Sequence, residues 1–258
     1  MSKILLVTGG SRGIGAACAR LAGTLGYDVC VNYVSNQAAA QAVVDDVIAK
    51  GQRAIAVQAD VSKEADVVRL FQEMDEKLGT VTALINNAGI ISPMATILEL
   101  DAERLANTWT TNITSMFLCA REAVRRMSAK QGGSGGAIVN LSSAAARLGG
   151  GGQFLDYATS KGAADTFNHG LAQELAGQGI RVNTVSPGAI YYEGGNWEAI
   201  KGMMPELYDG TLAKMPMGRF GNDEEVAKAI VFVASPAVPY MTGANLVVDG
   251  GFTQRVQF

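Results

Sequence analysis

Short apolar runs alternate along this chain with longer segments whose apolar positions recur at helical spacing. Runs such as ILLVT are apolar on both faces of a strand, which is typical of strands covered on both sides of a sheet. The strands predicted in this way span residues 4–8, 28–34, 54–58, 83–86, 137–142, 181–186 and 245–249. The helices predicted between them span residues 14–25, 37–50, 63–78, 101–130 and 157–177.

This alternation predicts an α/β fold, a doubly wound (Rossmann-type) parallel sheet of about seven strands with helices on both faces. Connections of this length suit right-handed crossovers. No internal repeat or change of composition divides residues 1–258, which predicts a single domain. Residues 190–220 interrupt the alternation with aromatic and Met residues, and a connection of this length predicts a substrate lid or binding loop.

Composition narrows the class of protein. Apolar residues make up 48% of the chain and the formal net charge is -3, which offers no basic surface for nucleic acid or an anionic membrane. No apolar run reaches the roughly 18 residues of a transmembrane helix, and the first residues lack a signal-peptide core, so we expect a cytoplasmic protein. Cys18, Cys30 and Cys119 have no metal-type spacing and form no even set, which predicts buried free thiols and no metal site.

A glycine-rich motif, TGGSRGIG, occupies residues 8–15 between the first predicted strand and the first predicted helix. Residues without a Cβ atom let the backbone approach a pyrophosphate, and the helix N-terminus offers it unpaired N–H groups. A plain tight turn is the alternative interpretation of any glycine motif. The strand–turn–helix context favours a dinucleotide site.

The end of the second predicted strand bears on the choice of cofactor. Sites that prefer NAD place an Asp or Glu there to accept hydrogen bonds from the ribose, whereas residues 32–36 read NYVSN. Arg12 is placed to meet a 2′-phosphate, and Ser35 and Asn36 could donate hydrogen bonds to it. This pattern predicts NADP(H). If Arg12 is only a solvated surface charge, the preference stays open.

Tyr157 and Lys161 begin the helix predicted at residues 157–177 and are four positions apart, so both side chains point to one side. A nearby ammonium favours the phenolate and lowers the pKa of a tyrosine, which suits Tyr157 to acid–base catalysis. Ser143 follows a predicted strand at the edge where such sheets bind ligands, and Asn112 lies in the long predicted helix. The alternative interpretation is that Tyr157 and Lys161 are an ordinary pair of exposed side chains on one helix.

With these motifs in this order, the chain resembles the short-chain dehydrogenase/reductase family over essentially its whole length. Further matching motifs are ADVS, NNAG, TNITSMF, NLSS, YATSK, SPGAI and the tail YMTGANLVVDGG. The resemblance implies an NADP(H)-dependent oxidoreductase that interconverts a ketone or aldehyde and an alcohol. It also implies a catalytic tetrad of Asn112, Ser143, Tyr157 and Lys161, no metal in the chemistry, and a homotetramer or homodimer. The candidate cofactor-binding residues are Gly9, Ser11, Arg12, Gly13, Ile14, Gly15, Tyr33, Ser35, Asn36, Asp60, Val61, Asn87, Ala88, Gly89, Tyr157, Lys161, Pro187, Gly188 and Ile190.

Two features depart from the family pattern. One extra residue separates Ser143 from Tyr157, which leaves Ser142 as an alternative catalytic serine. Tyr191 and Tyr192 follow the SPGAI motif, where many relatives have a threonine that contacts the nicotinamide amide.

The substrate is not identified by the sequence beyond a small carbonyl or alcohol compound. The chain looks most like 3-oxoacyl-acyl-carrier-protein reductases and ketone reductases, so an acyl-carrier-bound substrate is one alternative. Arg121, Arg125 and Arg126 would form a basic helix face for that carrier, or else ordinary surface or a subunit contact. A non-catalytic NADP(H)-sensing protein and an epimerase or dehydratase are the alternative functions.

Overall fold

The computed structural model describes residues 3–253, whose strands form one parallel sheet in the order β3-β2-β1-β4-β5-β6-β7. The strands are β1 Lys3–Val7, β2 Tyr27–Tyr33, β3 Ala54–Gln58, β4 Ala83–Asn86, β5 Gly136–Leu141, β6 Ile180–Pro187 and β7 Asn245–Val248. The helices are α1 Gly13–Thr24, α2 Gln37–Ile48, α3 Glu64–Lys77, α4 Ala102–Trp109, α5 Ser115–Met127, α6 Ala145–Leu148, α7 Leu155–Leu175, α8 Asn196–Met203, α9 Pro205–Leu212 and α10 Asp223–Ala234. The predicted doubly wound fold is confirmed.

Successive side chains along each strand pack alternately in two apolar cores, one on each face of the sheet. Leu5 and Val7 of β1 pack in the core that contains α1, α2 and α10. Ile4 and Leu6 pack in the core that contains Phe71 of α3 together with α5 and α7. Strands that are apolar on both faces therefore lie between two helical layers, as the sequence pattern indicates.

The prediction of one long helix at residues 101–130 is wrong. The structure divides it into α4, a π-helical turn at Thr110–Thr114, and α5. Asn112 lies in that turn, where its Oδ1 accepts a hydrogen bond from Ile90 N at 2.8 Å and its Nδ2 donates to Ile90 O at 2.9 Å. These two hydrogen bonds join the π-helical turn to the chain that follows β4. The spacing of apolar residues in the sequence does not indicate this tertiary contact.

Residues 190–220, predicted as a lid or binding loop, contain the two helices α8 and α9. They enclose a small apolar cluster of their own, in which Trp197 and Tyr208 each pack against Phe220 with ring centroids 4.8 Å apart. Of the Met residues here, Met215 is buried in this cluster while Met203 and Met217 are mostly exposed. The segment is thus a small folded unit.

Helix α10 is an element that the sequence analysis did not predict. Its start carries a capping box, in which Asn222 Oδ1 accepts from Glu225 N at 2.9 Å and Glu225 Oε2 accepts from Asn222 N at 3.0 Å. An Asn followed three residues later by a Glu ahead of an apolar run is a recognisable N-terminal signal. This helix could therefore have been found from the sequence.

The three cysteines are buried, and burial raises the pKa of each thiol. Among residues 3–253 there is no group of three or more His, Cys, Asp or Glu side chains arranged to hold a metal ion. Over the same residues, each helix is too short or too polar to cross a membrane.

Candidate active site

The glycine turn between β1 and α1 requires residues without a side chain. Gly9 and Gly13 have positive φ angles of 60° and 52°. A Cβ atom on Gly15 would lie 2.5 Å from both Asn87 Nδ2 and Gly9 O. Larger residues would therefore push the turn apart.

The start of α1 offers unpaired backbone N–H groups. The first backbone hydrogen bond of the helix runs from Ala16 N to Arg12 O at 3.2 Å, which leaves the N–H groups of Gly13, Ile14 and Gly15 without a partner in the helix. Within the described residues the Arg12 side chain does not cap the helix, and the first turn contains no acidic residue. This end of α1 can therefore receive an anion.

Three polar side chains hold the turn in place, and two of them, Asn32 and Thr8, are buried residues that the sequence analysis did not assign to the site. Asn32 Oδ1 accepts from Gly9 N at 3.2 Å, and its Nδ2 donates to Ala59 O at 2.9 Å. Thr8 Oγ1 accepts from the N–H groups of Asn87 and Ala88, each at 3.0 Å. The third is Asn87, expected to bind cofactor, whose Nδ2 donates to Thr8 O and Gly9 O at 2.8 and 2.9 Å.

The residues predicted to recognise the 2′-phosphate differ in their placement. Arg12 and Ser35 are exposed near the ends of β1 and β2. Asn36 caps α2, since its Oδ1 accepts from Ala39 N at 2.9 Å. Tyr33 is buried in the core, which leaves its ring less available to a ligand than the exposed side chains.

Asp60 and Val61 follow β3 at the same edge of the sheet. Asp60 Oδ1 accepts from Ser62 Oγ at 2.6 Å, and Lys63 Nζ lies 3.3 Å from Asp60 Oδ2. Burial raises the pKa of Asp60, but these hydrogen bonds outweigh it and hold the pKa below its ordinary value. Val61 is buried, so its side chain fills the core.

The turn after β6 joins the ends of neighbouring strands. Pro187 O accepts from Ala144 N at 2.8 Å, and Gly188 N donates to Val248 O at 3.0 Å. A Cβ atom on Gly188 would lie 2.7 Å from the Cα atom of Asp249, so only glycine fits. Ile190 is buried in the core that contains α1, α2 and α10, and it forms an isolated β-bridge with Gly221.

Lys161, Tyr157 and Asn112 meet beside the chain that follows β4. Lys161 is buried, its Nζ donates to Leu141 O at 2.8 Å, and Nζ lies 5.6 Å from the centroid of the Tyr157 ring. A Cβ atom on Gly89 would lie 3.3 Å from Asn112 Oδ1 and 3.5 Å from Lys161 Nζ. The structure thus brings these predicted residues together around Gly89, where a Cβ atom would be in close contact with Asn112 and Lys161.

The two serines after β5 have different partners. Ser142 is buried, and its Oγ donates to Lys161 O at 3.0 Å. Ser143 Oγ accepts from Ala145 N at 3.1 Å, and this hydroxyl lies near enough to the Tyr157 phenol to lower the pKa of that phenol. Ser143 is therefore the serine that faces the tyrosine.

Burial shifts the pKa values of Tyr157 and Lys161, and the shift of Tyr157 is opposite to the one expected. A pKa of Tyr157 below its ordinary value was expected, whereas burial raises it to about 12 and outweighs the opposing effect of Ser143. Burial also lowers the pKa of Lys161 to about 8, against the attraction of Asp165 that raises it. The reason is the same for both groups, because burial disfavours the charged form of each.

An ion pair fixes the start of α7, one residue before Tyr157. Arg104 Nε of α4 lies 2.8 Å from Asp156 Oδ2, with side chains 17% and 1% exposed. Burial raises the pKa of Asp156, but its hydrogen bond and attraction to Arg104 hold the pKa below its ordinary value. The loop with the extra residue before Tyr157 is therefore anchored by a charged contact.

A family model described as Enoyl-(Acyl carrier protein) reductase matches residues 9–253 of this sequence. The chain belongs to the short-chain dehydrogenase/reductase family. It is an oxidoreductase of this family, and the resemblance stated from the motifs is confirmed.

Three relatives illustrate the relationship. The uncharacterized oxidoreductase YgfF of Escherichia coli (strain K12) is 49% identical over 248 residues, which cover 96% of this chain and 99% of YgfF. The 3-oxoacyl-[acyl-carrier-protein] reductase FabG of Staphylococcus epidermidis is 35% identical over 97% of this chain and 99% of its own. A blue fluorescent protein from a metagenomic library, solved in complex with NADPH, has a TM-score of 0.87 and 34% identity, and the match covers 97% of each chain.

The basic face of α5 in this family member is paired with acidic side chains. Arg121 lies 2.7 Å from Glu64, and Arg126 lies 2.7 Å from Asp75. Arg125 lies 3.0 Å from the buried carboxylate of Glu122. These pairs neutralise much of the charge, so the face is a weaker candidate for an acidic carrier than its sequence indicates.

We predict that removal of Arg104 destabilises the protein. Arg104→Met leaves Asp156 buried without its ion-pair partner, which should lower the free energy of unfolding by about 3 kcal/mol. Guanidinium denaturation followed by circular dichroism measures the change. Because the pKa of Asp156 lies below its ordinary value, the contribution of the pair is present at pH 7 and is lost as the carboxylate is protonated below about pH 4.

Arg20→Met is the matched control, since Arg20 Nε lies 2.7 Å from Asp46 with side chains 47% and 53% exposed. Its loss should stay below about 1 kcal/mol. Equal losses in the two variants would contradict the structural role of the Arg104 pair.

Proposed function

We propose that the protein is an NADP(H)-dependent oxidoreductase that interconverts a ketone or aldehyde and an alcohol. One observation carries the proposal: the unpaired N–H groups of Gly13 to Gly15 share one edge of the sheet with the group formed by Ser143, Tyr157 and Lys161. This edge includes the gap between β1 and β4, where the strand order reverses and ligands bind in such folds.

The residues at this edge fit a nicotinamide dinucleotide. The glycine turn packs too closely for a Cβ atom at Gly13 or Gly15, and the start of α1 suits the negative charge of a pyrophosphate. The exposed Arg12, with no carboxylate in residues 32–36, supports a preference for the 2′-phosphate. The NADPH complex of the blue fluorescent protein is consistent with this choice.

The bound nicotinamide supplies or accepts the hydride. In reduction, Tyr157 donates the proton of its Oη to the carbonyl oxygen, and in oxidation it accepts the proton of the alcohol. With a pKa of about 12 the phenol is protonated at neutral pH, which is the form that reduction requires. Ser143 donates a hydrogen bond to the same substrate oxygen, and the Lys161 ammonium favours the phenolate once the proton has left.

Asn112 and Lys161 act from the other side of Tyr157 in this proposal. Their proximity around Gly89 supports a role for Asn112 in keeping the lysine positioned. Buried Lys161 carries its charge below a pH of about 8, so the arrangement suits neutral pH.

Three segments surround the space next to Tyr157 and are proposed to select the substrate. Residues 92–98 and 149–156 are joined by a bridge between Ala95 and Phe154, and residues 190–220 form the proposed lid. Large apolar side chains are exposed in or directly before these segments: Leu98, Leu148, Met203 and Met217. We infer a medium-sized, partly apolar substrate, with an acyl-carrier-bound one as an alternative that the FabG relative makes worth testing.

A second copy of the chain is the proposed partner of the face formed by α5 and α7. Phe117 of α5 is 51% exposed, and its ring centroid lies 4.2 Å from that of Phe167 on α7. A groove along this face is lined by apolar side chains that include Ile113, Leu118, Val124 and Leu171. An exposed apolar groove rimmed by ion pairs suits self-association, which agrees with the homodimer or homotetramer that the resemblance implies.

We predict that Tyr157→Phe loses turnover but keeps cofactor binding. The purified protein should oxidise NADPH in the presence of at least one member of a panel with a 3-oxoacyl thioester, a diketone, an aryl ketone and a keto sugar. Loss of the general acid should lower the rate by roughly 10² to 10⁴-fold. Tyr240→Phe, at a fully exposed position, is the control. Tight NADPH binding without turnover on every compound would favour the sensing protein.

Replacement of Arg12 should weaken NADPH binding and leave NADH binding unchanged. A charged hydrogen bond to a phosphate contributes roughly 1.5 to 3 kcal/mol, which corresponds to a tenfold or larger rise in the NADPH dissociation constant of Arg12→Ala. Isothermal titration calorimetry with both cofactors measures the change. Tighter binding of NADH than of NADPH by the wild-type protein would contradict the cofactor assignment.

The proposed assembly predicts that Phe117→Glu reduces the oligomeric state, because a carboxylate cannot be buried at an apolar interface without a partner. Light scattering coupled to gel filtration should give a dimer or tetramer for the wild type and a smaller species for the variant. Ile48→Glu is the matched control, because Ile48 at the end of α2 is also 51% exposed. A monomeric wild type would rule out this interface.

A further inference from the structure

Tyr192 lies directly over the glycine turn. A Cβ atom on Gly13 would lie 2.6 Å from Cζ, 2.7 Å from Cε2 and 3.0 Å from the hydroxyl oxygen of Tyr192. The hydroxyl end of the ring therefore rests on Gly13, at the start of α1. This is the place where the unpaired N–H groups can receive an anion.

A second glycine holds the ring from the other side. A Cβ atom on Gly195 would lie 3.0 Å from the same Cζ and Cε2 atoms. Gly195 N also donates to Tyr192 O at 3.0 Å, so the chain folds back over its own tyrosine. The ring lies between Gly13 and Gly195, and a side chain on either glycine would remove its place.

The ring also reaches toward the catalytic group. The Tyr192 phenol is near enough to Tyr157 that a negative charge on it raises the pKa of Tyr157. Tyr192 thus extends from the proposed pyrophosphate position at Gly13 toward the proposed nicotinamide position at Tyr157. A pyrophosphate bound at the start of α1 would meet the ring where it rests on Gly13.

We propose that Tyr192 gates the cofactor channel: its ring lies between Gly13 and Gly195, and NADP(H) binds only after the ring has moved aside. This inference rests on the proposed function. It gives a role to the position where many relatives have a threonine, which is too short to cover the turn.

Movement of the ring is coupled to the lid. Gly195 is the N-cap residue of α8, and Gly194, with a φ of 73°, precedes it. Glu198 Oε2 of α8 accepts from Gly194 N at 2.7 Å. Displacing Tyr192 therefore disturbs the contacts at the first turn of α8, so cofactor binding and the position of the lid depend on each other.

The gate is tested by binding of NADPH to the wild type, Tyr192→Thr, Tyr192→Phe and Tyr240→Thr. If only the open protein binds NADPH, the apparent affinity equals the intrinsic affinity multiplied by the fraction of protein that is open. Tyr192→Thr lacks the ring, so it should bind NADPH at least about threefold more tightly than the wild type. Tyr192→Phe keeps the ring and should match the wild type. Tyr240→Thr makes the same change at a fully exposed position and should also match it. Calorimetry gives the affinities, and circular dichroism verifies that each variant is folded.

Stopped-flow fluorescence provides a second, kinetic test. For the wild type, the observed binding rate should level off as the NADPH concentration rises, because opening limits it, whereas the rate for Tyr192→Thr should keep rising linearly. Equal or weaker binding by Tyr192→Thr, or a linear wild-type rate, overturns the gate alone. Failure of both the wild type and Tyr192→Thr to bind NADPH or NADH overturns the proposed function and the gate with it.

Discussion

The unpaired backbone N–H groups at the start of α1 are the constraint on which the rest of the site depends. They can hold an anion only if no bulky side chain of the turn blocks them, and only if the turn before them keeps its shape without the helix to support it. Gly13 and Gly15 meet the first condition. Asn32, Thr8 and Asn87 meet the second, since their hydrogen bonds connect the turn to β2, β3 and β4. The buried polar residues around the turn thus serve one purpose.

The parallel sheet brings the chemistry to that turn. Because the carboxyl ends of all the strands meet at one edge, residues distant in sequence, such as Ser143 after β5 and Gly188 after β6, lie at the same edge as the start of α1. This much was predictable. Apolar runs covered on two faces specify such a sheet, and the four-residue spacing of Tyr157 and Lys161 specifies a shared helix face.

What the sequence could not predict depends on tertiary contacts. The π turn around Asn112 exists because that side chain bonds Ile90, and no local pattern marks it. Helices α8 and α9 lie in residues 190–220, where aromatic side chains pack on one another in place of a regular apolar face. The raised pKa of Tyr157 reflects burial, and burial is known only from the fold. Tyr192 was noted as a departure, but its contact with Gly13 appears only in three dimensions.

A crystal structure of the protein grown with NADP⁺ tests the central claim most directly. The account predicts pyrophosphate oxygens about 3 Å from the N–H groups at the start of α1, the 2′-phosphate beside Arg12, and the nicotinamide next to Tyr157. It also predicts that the Tyr192 ring no longer rests on Gly13. A dinucleotide bound away from α1, or phosphates at α1 with the nicotinamide far from Tyr157, would contradict the account.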